Sequence, residues 1–330
     1  MNPRHRRLLI PGLLVALVIV VVIASVTQKA DAADDGSVVI SIIDDARITE
    51  ASGLAISHTH DDLAYVINDS GNVPAVYAVR LSTGDVIGTT TVQGVSWSDT
   101  EALSLGPDGT LWVADTGDNL RRRDDTALYA FAEPGPGDHV VSARRYPVSL
   151  PGGPQDVEAL LVDPGNGRLF LASKGLLSGT LYRLPATLSQ TGANTPEALD
   201  DRLPGLVTDG AFTHDGQRML FRTYTAVHER VLGDGDSGRV IDVPAQKQGE
   251  SLAVEDGDAS FLIGTEGRPS PILRVVIPPD EKPTPTPTPS PTPTADAPIA
   301  ADDDSSPLAW WLGGGVAVGV VAALLVLRRR

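Results

Sequence analysis

The chain has 330 residues and a formal net charge of -16, and it contains no cysteine. It can therefore form no disulfide framework and no thiolate metal site, and its acidity argues against a phosphate-binding surface for nucleic acid. The charge is uneven. Between Ala33 and Ser306, 19 Lys and Arg stand against 41 Asp and Glu, while both ends are basic.

The N-terminus carries Arg4, Arg6 and Arg7, then an apolar run from Leu8 to Val26, then Ala30-Asp31-Ala32. A basic start, an apolar centre and small residues at the cut are the layout of a secretory signal peptide, assigned to residues 1–32. The apolar run is long for that role, so an uncleaved N-terminal anchor is the alternative.

From residue 37 to 277 the chain repeats itself. An acidic residue, a small residue and an apolar strand recur at Glu50, Glu101, Glu158, Asp209 and Glu250, at intervals of 51, 57, 51 and 41 residues. A tight-turn signal follows each one: His60-Asp61-Asp62, Pro107-Asp108-Gly109, Pro164-Gly165-Asn166-Gly167, His214-Asp215-Gly216 and Glu255-Asp256-Gly257. These residue types accept positive φ or form Asx turns. A β-rich run comes next in every repeat, at Leu63–Asn68, Leu111–Asp115, Leu169–Ser173, Met219–Thr223 and Phe261–Thr265. Third strands are predicted around Val76–Val79, Leu128–Phe131, Leu181–Leu184, Val227–Leu232 and Ile272–Ile277. Fourth strands are predicted at Val86–Val92, Val140–Val148 and Val240–Val243; the third repeat shows none clearly.

Repeats of about 40 to 57 residues with four strands each match propeller blades. The fifth repeat stops after three strands, and an unassigned strand, Val38 to Ile43, stands before the first. Supplying it to the last blade closes the ring and removes a free edge. The expected fold is all-β, a five-bladed β-propeller, with six blades as the alternative.

Past the repeats, residues 278–307 alternate Pro with Thr and Ser and read as an extended extracellular stalk. Residues 308–327 form an uncharged run long enough to cross a bilayer as a helix. Arg328, Arg329 and Arg330 follow as a cytoplasmic basic tail, and the positive-inside rule places the repeat domain outside the cell. The expected location is thus the cell membrane, single-pass, with the propeller extracellular.

In such a ring the start of each inner strand and the loop joining second and third strands open on one face. Glu50, Glu101, Glu158, Asp209 and Glu250 are then expected to surround one mouth of the channel, as a site for Ca²⁺, which prefers six to eight oxygen ligands. The alternative is that each acid caps its own loop. The second-to-third-strand loops contribute the candidate ligand-binding residues Asp69, Asn72, Asp115, Asp118, Asn119, Lys174, Arg222, Tyr224 and Glu266. Lys174 and Arg222 could also neutralise the acids directly. No GxSxG, HExxH or GxxxxGK[ST] motif is present, and His58, His60 and His214 fall on the opposite face, so a hydrolase here would depend on metal-bound water.

The segments Asp99-Thr100-Glu101-Ala102-Leu103 and Ala114-Asp115-Thr116-Gly117-Asp118-Asn119 resemble those of bacterial exported, WD40-like β-propeller proteins. Asp156-Val157-Glu158-Ala159-Leu160 and Gln248-Gly249-Glu250-Ser251-Leu252 extend the likeness. A more distant resemblance is to calcium-dependent propellers: gluconolactonase-like and paraoxonase-like lactonases, propeller phytases and calcium apyrases. That resemblance implies Ca²⁺ in the channel on Glu50, Glu101, Glu158 and Glu250, with Asn72, Asp115 and Asn119 as further ligands. The function expected from all of this is a surface-anchored module binding an extracellular small molecule, glycan or protein. The alternatives are a calcium-dependent hydrolase of a phosphoester or lactone, and a purely structural or interaction protein.

Overall fold

The computed structural model describes residues 37–232 and 238–279. The signal segment 1–32, the stalk beyond residue 279, the span 308–327 and the basic tail lie outside the described residues. Among the described residues there is no helix, and so none long and apolar enough to cross a membrane.

The strands form five sheets, blades one to five, each built on four antiparallel strands. Blade one is β2 (Ala51–Ile56), β3 (Leu63–Asn68), β4 (Ala75–Arg80) and β5 (Val86–Val92). Blade two is β6 (Thr100–Leu105), β7 (Thr110–Asp115), β8 (Ala127–Ala132) and β10 (Arg144–Pro147). Blade three is β11 (Val157–Val162), β12 (Leu169–Ser173), β13 (Thr180–Arg183) and β14 (Glu197–Arg202), and β14 is the fourth strand the sequence left unassigned. Blade four is β15 (Val207–Phe212), β16 (Met219–Thr223), β17 (Ala226–Arg230) and β18 (Val240–Asp242). Blade five is β19 (Gly249–Val254), β20 (Ser260–Thr265) and β21 (Ser270–Val276), completed by β1 (Val38–Ile43), which pairs antiparallel with β21. The fold is a five-bladed propeller, and no sixth unit is needed to close it. Closure by the N-terminal strand covers the edge that β21 would otherwise expose.

One expected strand is divided. Val140–Val148 reads as a single outer strand, but the structure splits it. Its first part, β9 (His139–Val141), pairs parallel with β5 and becomes a fifth strand of blade one; only β10 stays with blade two. Ser142 and Ala143 lie between the two pieces, where the chain leaves one blade for the next.

The core follows from the pleat. Successive side chains point to opposite faces of a strand, and in a propeller both faces of a blade are covered by neighbours. Leu169 and Leu171 pack toward blade two, while Phe170 and Ala172 pack toward blade four. Five apolar clusters result, one at each blade–blade interface, including the one joining blades five and one. This explains why second strands read as continuous apolar runs rather than alternating ones. The turns between first and second strands fit their residues too: Gly109 has φ 74°, and Asp62 takes the same left-handed conformation at φ 58°.

Every inner strand carries a bulge at its start. In blade two Thr100 faces Asp115 and Ala102 faces Ala114, leaving Glu101 as the extra residue. The same shift leaves Glu158, Thr208 and Glu250 extra in blades three, four and five, and it falls at Ser52–Gly53 in blade one. A bulge re-aims side chains at a strand end, and here that end is the channel mouth.

Candidate acidic site at the channel mouth

The bulge registers set which residues are equivalent. Ser52, Glu101, Glu158, Thr208 and Glu250 occupy one tier. Two residues earlier, Glu50, Asp99, Asp156, Leu206 and Gln248 form a second tier. The expected alignment of one acid per blade is therefore out of step in two blades. Glu50 belongs to the outer tier, and Asp209 lies one position beyond the bulge. Backbone bonds repeat with the same phase: the N–H groups of Asp69, Lys174 and Glu266 donate to the carbonyls of Glu50, Asp156 and Gln248 at 2.8, 2.7 and 2.8 Å.

Where the bulge residue carries a hydroxyl instead of an acid, it stitches blades together. Ser52 Oγ donates to the Glu101 carbonyl at 2.7 Å, and Thr208 Oγ1 to the Gly249 carbonyl at 2.9 Å.

The acids converge in blades one to three. Carboxylate oxygens of Asp69, Asp99 and Glu101 lie within 4.8 Å of one another, as do those of Glu101, Asp156 and Glu158. Glu101 belongs to both triads and is 5% exposed; Glu158 is 2% exposed. Burial pushes both carboxyls well above their ordinary range; Glu158, Asp69 and Asp99 add to this at Glu101, while at Glu158 Lys174 pulls the other way and Asp156 and Glu250 add to the rise. Asp99 is pushed up to about 7, first by burial and then by Asp69, with which it shares a hydrogen bond. Asp69 is raised as well, mainly by burial. Gly117 makes the cluster sterically possible: a Cβ there would lie 2.2 Å from Glu101 Oε1 and 2.6 Å from Asp99 Oδ2.

Lys174 is the cation inside this group. Its Nζ donates to Glu158 Oε1 at 2.9 Å and sits 5.3 Å from the Tyr224 ring centroid. Burial opposes the charge on Lys174, but Glu158 and Tyr224 outweigh it and hold the ammonium above its ordinary value. Tyr224 is raised to about 12, chiefly by burial and then by Glu250. On the blade-five side Glu250 is pushed up to about 7, first by burial, and Gln248 Nε2 donates to its Oε1 at 2.7 Å and also to Glu266. Burial and Asp69 raise Glu266. Asn72 Nδ2 donates to Glu50 Oε2 at 2.8 Å, which orients that carboxylate from the blade-one loop.

The other expected site residues are placed differently. Asp115 Oδ1 accepts from the N–H groups of Ser98 and Asp99 at 3.2 and 2.9 Å and pairs with Arg123 at 2.9 Å. It braces the loop that carries Asp99. Asp118 N–H donates to Asp156 Oδ1 at 2.7 Å, while its own carboxylate accepts from Arg123 N–H at 2.8 Å. Asn119 is exposed at the loop tip. Asp209 is buried beneath the mouth and accepts from the N–H groups of Gly210 and Leu252 at 2.8 and 2.7 Å. Burial drives its carboxyl well upward. Arg222 is fully buried; its Nη2 donates to Gln246, and burial lowers it to about 10 against the pull of Glu250 and Asp209. A Cβ at Gly249 would fall 2.0 Å from Arg222 Nη2, so the guanidinium occupies space that only glycine leaves.

Asp99, Asp156 and Gln248 were not among the expected site residues. The signal for Asp99 and Asp156 was the acid two positions before the bulge, in Asp99-Thr100-Glu101 and Asp156-Val157-Glu158; Gln248 holds the same position in blade five without being an acid. His58 and His214 lie at the opposite mouth, with ring centroids 6.0 Å apart, and His214 Nδ1 is 3.0 Å from Asp258 Oδ1.

No family model matches the chain, and no curated protein matches it. Among solved structures it is similar to a gluconolactonase from Xanthomonas campestris, at 15% identity and a TM-score of 0.43, over 69% of this chain and 72% of that one.

Proposed function

We propose that this chain is an exported, membrane-anchored propeller whose acidic mouth binds a hard divalent cation, Ca²⁺, and through it an extracellular ligand. The observation that carries the reading is the pair of carboxylate triads sharing Glu101. The donors are all oxygen, which favours Ca²⁺ over zinc or copper. Ca²⁺ holds its ligands at about 2.3–2.6 Å, so oxygens on opposite sides of one ion are roughly 5 Å apart, which matches the spacing of each triad. Asp69, Asp99, Glu101, Asp156 and Glu158 would hold the ion, and Gly117 leaves the room that the first three need. Calorimetric titration of the full-length protein with Ca²⁺ tests this. Wild type is expected to bind, and Glu101→Gln to lose affinity by more than tenfold because both triads lose their shared member. No heat at millimolar Ca²⁺ would refute it.

A hydrolytic use of the same mouth has one observation in its favour. Without an ion, Asp99 is raised to about 7, first by burial and then by Asp69, in the range suited to a general base; in this reading Asp69, Glu101, Asp156 and Glu158 would hold the ion and Asp99 would stay free of it. EDTA-sensitive turnover of a lactone or phosphoester, lost in Asp99→Asn, would establish it. No turnover leaves binding alone.

A further inference from the structure

The four most exposed large apolar side chains among the described residues are Leu177 at 90%, Leu120 at 71%, and Val73 and Leu176 at 70%. All four lie in second-to-third-strand loops: Val73 between β3 and β4, Leu120 between β7 and β8, Leu176 and Leu177 between β12 and β13. Those loops open on the face that carries the acids, and they belong to the same three blades that supply Asp69, Asp99, Glu101, Asp156 and Glu158. Most of the other exposed large apolar side chains lie on outer strands or at the β17–β18 turn. An exposed apolar set gathered at one rim is the mark of an interaction surface.

We infer that this rim docks a short extended peptide segment of another protein, one that presents a basic side chain to the mouth and apolar side chains to the loops on either side. The inference rests on the acidic mouth being a site for positive charge. Eight acidic side chains (Glu50, Asp69, Asp99, Glu101, Asp156, Glu158, Glu250 and Glu266) stand at this mouth; Lys174 acts on Asp69, Glu101, Glu158 and Glu250, Arg123 on Asp99 and Lys247 on Glu266. Burial favours the protonated form of the most enclosed of these acids, and an incoming cation displaces those protons, so the mouth gains negative charge as positive charge arrives. The rim loop's Arg121, Arg122 and Arg123 are offset within the loop by Asp118, Asp124 and Asp125, with Arg123 Nε 3.0 Å from Asp125 Oδ1.

Size favours a peptide over a small molecule. Stacked sheets lie about 10 Å apart, so the loops of three successive blades cover roughly 20 Å. An extended chain advances about 3.3 Å per residue, so six or seven residues bridge that distance, with alternate side chains pointing at the surface. Charge also sets the peptide above a lipid surface, because an anionic leaflet would be repelled by this mouth.

The test is fluorescence anisotropy of the full-length protein with three labelled heptapeptides that carry Ser at every even position, so that positions 1, 3, 5 and 7 share one face: Leu-Ser-Leu-Ser-Arg-Ser-Leu (the Leu–Arg peptide), the same with each Leu replaced by Ser (the Ser–Arg peptide), and the same with Glu in place of Arg (the Leu–Glu peptide). The Leu–Arg peptide is expected to bind at least about tenfold more tightly than either of the others, and Leu120→Ser/Leu176→Ser/Leu177→Ser to lose about tenfold or more of that affinity. The three side chains are solvent-exposed, so the thermal midpoint should hold, and it is measured to show that the variant is folded. Equal binding of the Ser–Arg peptide, or an unchanged affinity in the triple variant, overturns the inference. So does rim-dependent flotation with phosphatidylcholine vesicles in the absence of peptide binding, which would identify a lipid-facing surface instead. Ca²⁺ titration of the same samples separates the two readings. Peptide failure with Ca²⁺ binding intact removes this inference alone; absence of Ca²⁺ binding removes the metal reading and leaves the peptide result to be judged by itself.

Discussion

Replacing Lys174 with Met removes the cation that is bonded directly to Glu158 in the acid cluster. Methionine keeps the apolar stem beside Tyr224 and removes the charge together with the ammonium's hydrogen bonds to Glu158 and Tyr224. The ammonium lies 2.9 Å from Glu158 Oε1, and the two side chains are 17% and 2% exposed, so solvent cannot take over the lost partner. Removing one member of such a buried pair costs about 3–5 kcal/mol. Glu158 can take up a proton in response, which puts the expected loss near about 3 kcal/mol. For a domain of this size about 1 kcal/mol moves the midpoint by 2–4 °C, so the variant should melt roughly 6–12 °C below wild type in EDTA at neutral pH. Millimolar Ca²⁺ should shrink that gap, because a divalent ion among the carboxylates supplies the positive charge that was removed. The double variant Lys174→Met/Glu158→Met should regain most of the loss even in EDTA, since neither charge is then left buried alone. Thermal unfolding followed by near-UV circular dichroism reads all three proteins. A gap that is the same in EDTA and in Ca²⁺, or a Lys174→Met protein as stable as wild type, would refute the reasoning.

Three further outcomes follow from the same geometry. Gly117→Ala places a methyl 2.2 Å from Glu101 Oε1 and should weaken Ca²⁺ about tenfold or more by calorimetry, with a smaller effect on the melting midpoint; unchanged affinity would place the ion elsewhere. In EDTA, stability should fall as pH rises from about 4 to about 7: Glu250 holds its proton up to about 7 when folded and releases it near 4.5 when unfolded, so this one buried group contributes about 3 kcal/mol below that window that is gone above it. A melting profile that is flat or rises over that range contradicts the assignment. Beginning the chain at Asp44 removes β1, strips the antiparallel partner from β21 and exposes the interface that buries Ile43; a lower midpoint and self-association by size-exclusion chromatography are expected, and an unchanged monomer would mean the ring does not depend on that closure.

The blade count was legible because each blade repeats an acid, a small residue and an apolar strand at its inner edge, and because Val38–Ile43 had no partner in its own repeat. The second strands were legible for a physical reason: both their faces are covered, so Leu169–Ser173 and Met219–Thr223 read as unbroken runs bounded by turns. Outer strands carry less signal. Glu197–Arg202 has charges where alternation would help, and the parallel pairing of His139–Val141 with β5 depends on a contact from another blade that no local pattern encodes. The site was harder to read because of the bulge. An extra residue shifts the phase of everything before it, so an alignment on acids alone joined Glu50 and Asp209 to Glu101, Glu158 and Glu250, although the five side chains occupy three different levels. The hydroxyls Ser52 and Thr208 fill the bulge position in blades one and four and bond across to the neighbouring inner strand. Blade four carries Thr208 at the bulge and Leu206 two positions earlier, so neither of its tier positions is acidic, and the two close triads form over blades one to three. A ring with five equal carboxylates would favour an ion on the axis. The asymmetric cluster favours one off the axis at Glu101, between the Asp69 and Lys174 loops, beneath the same three blades that carry the apolar rim.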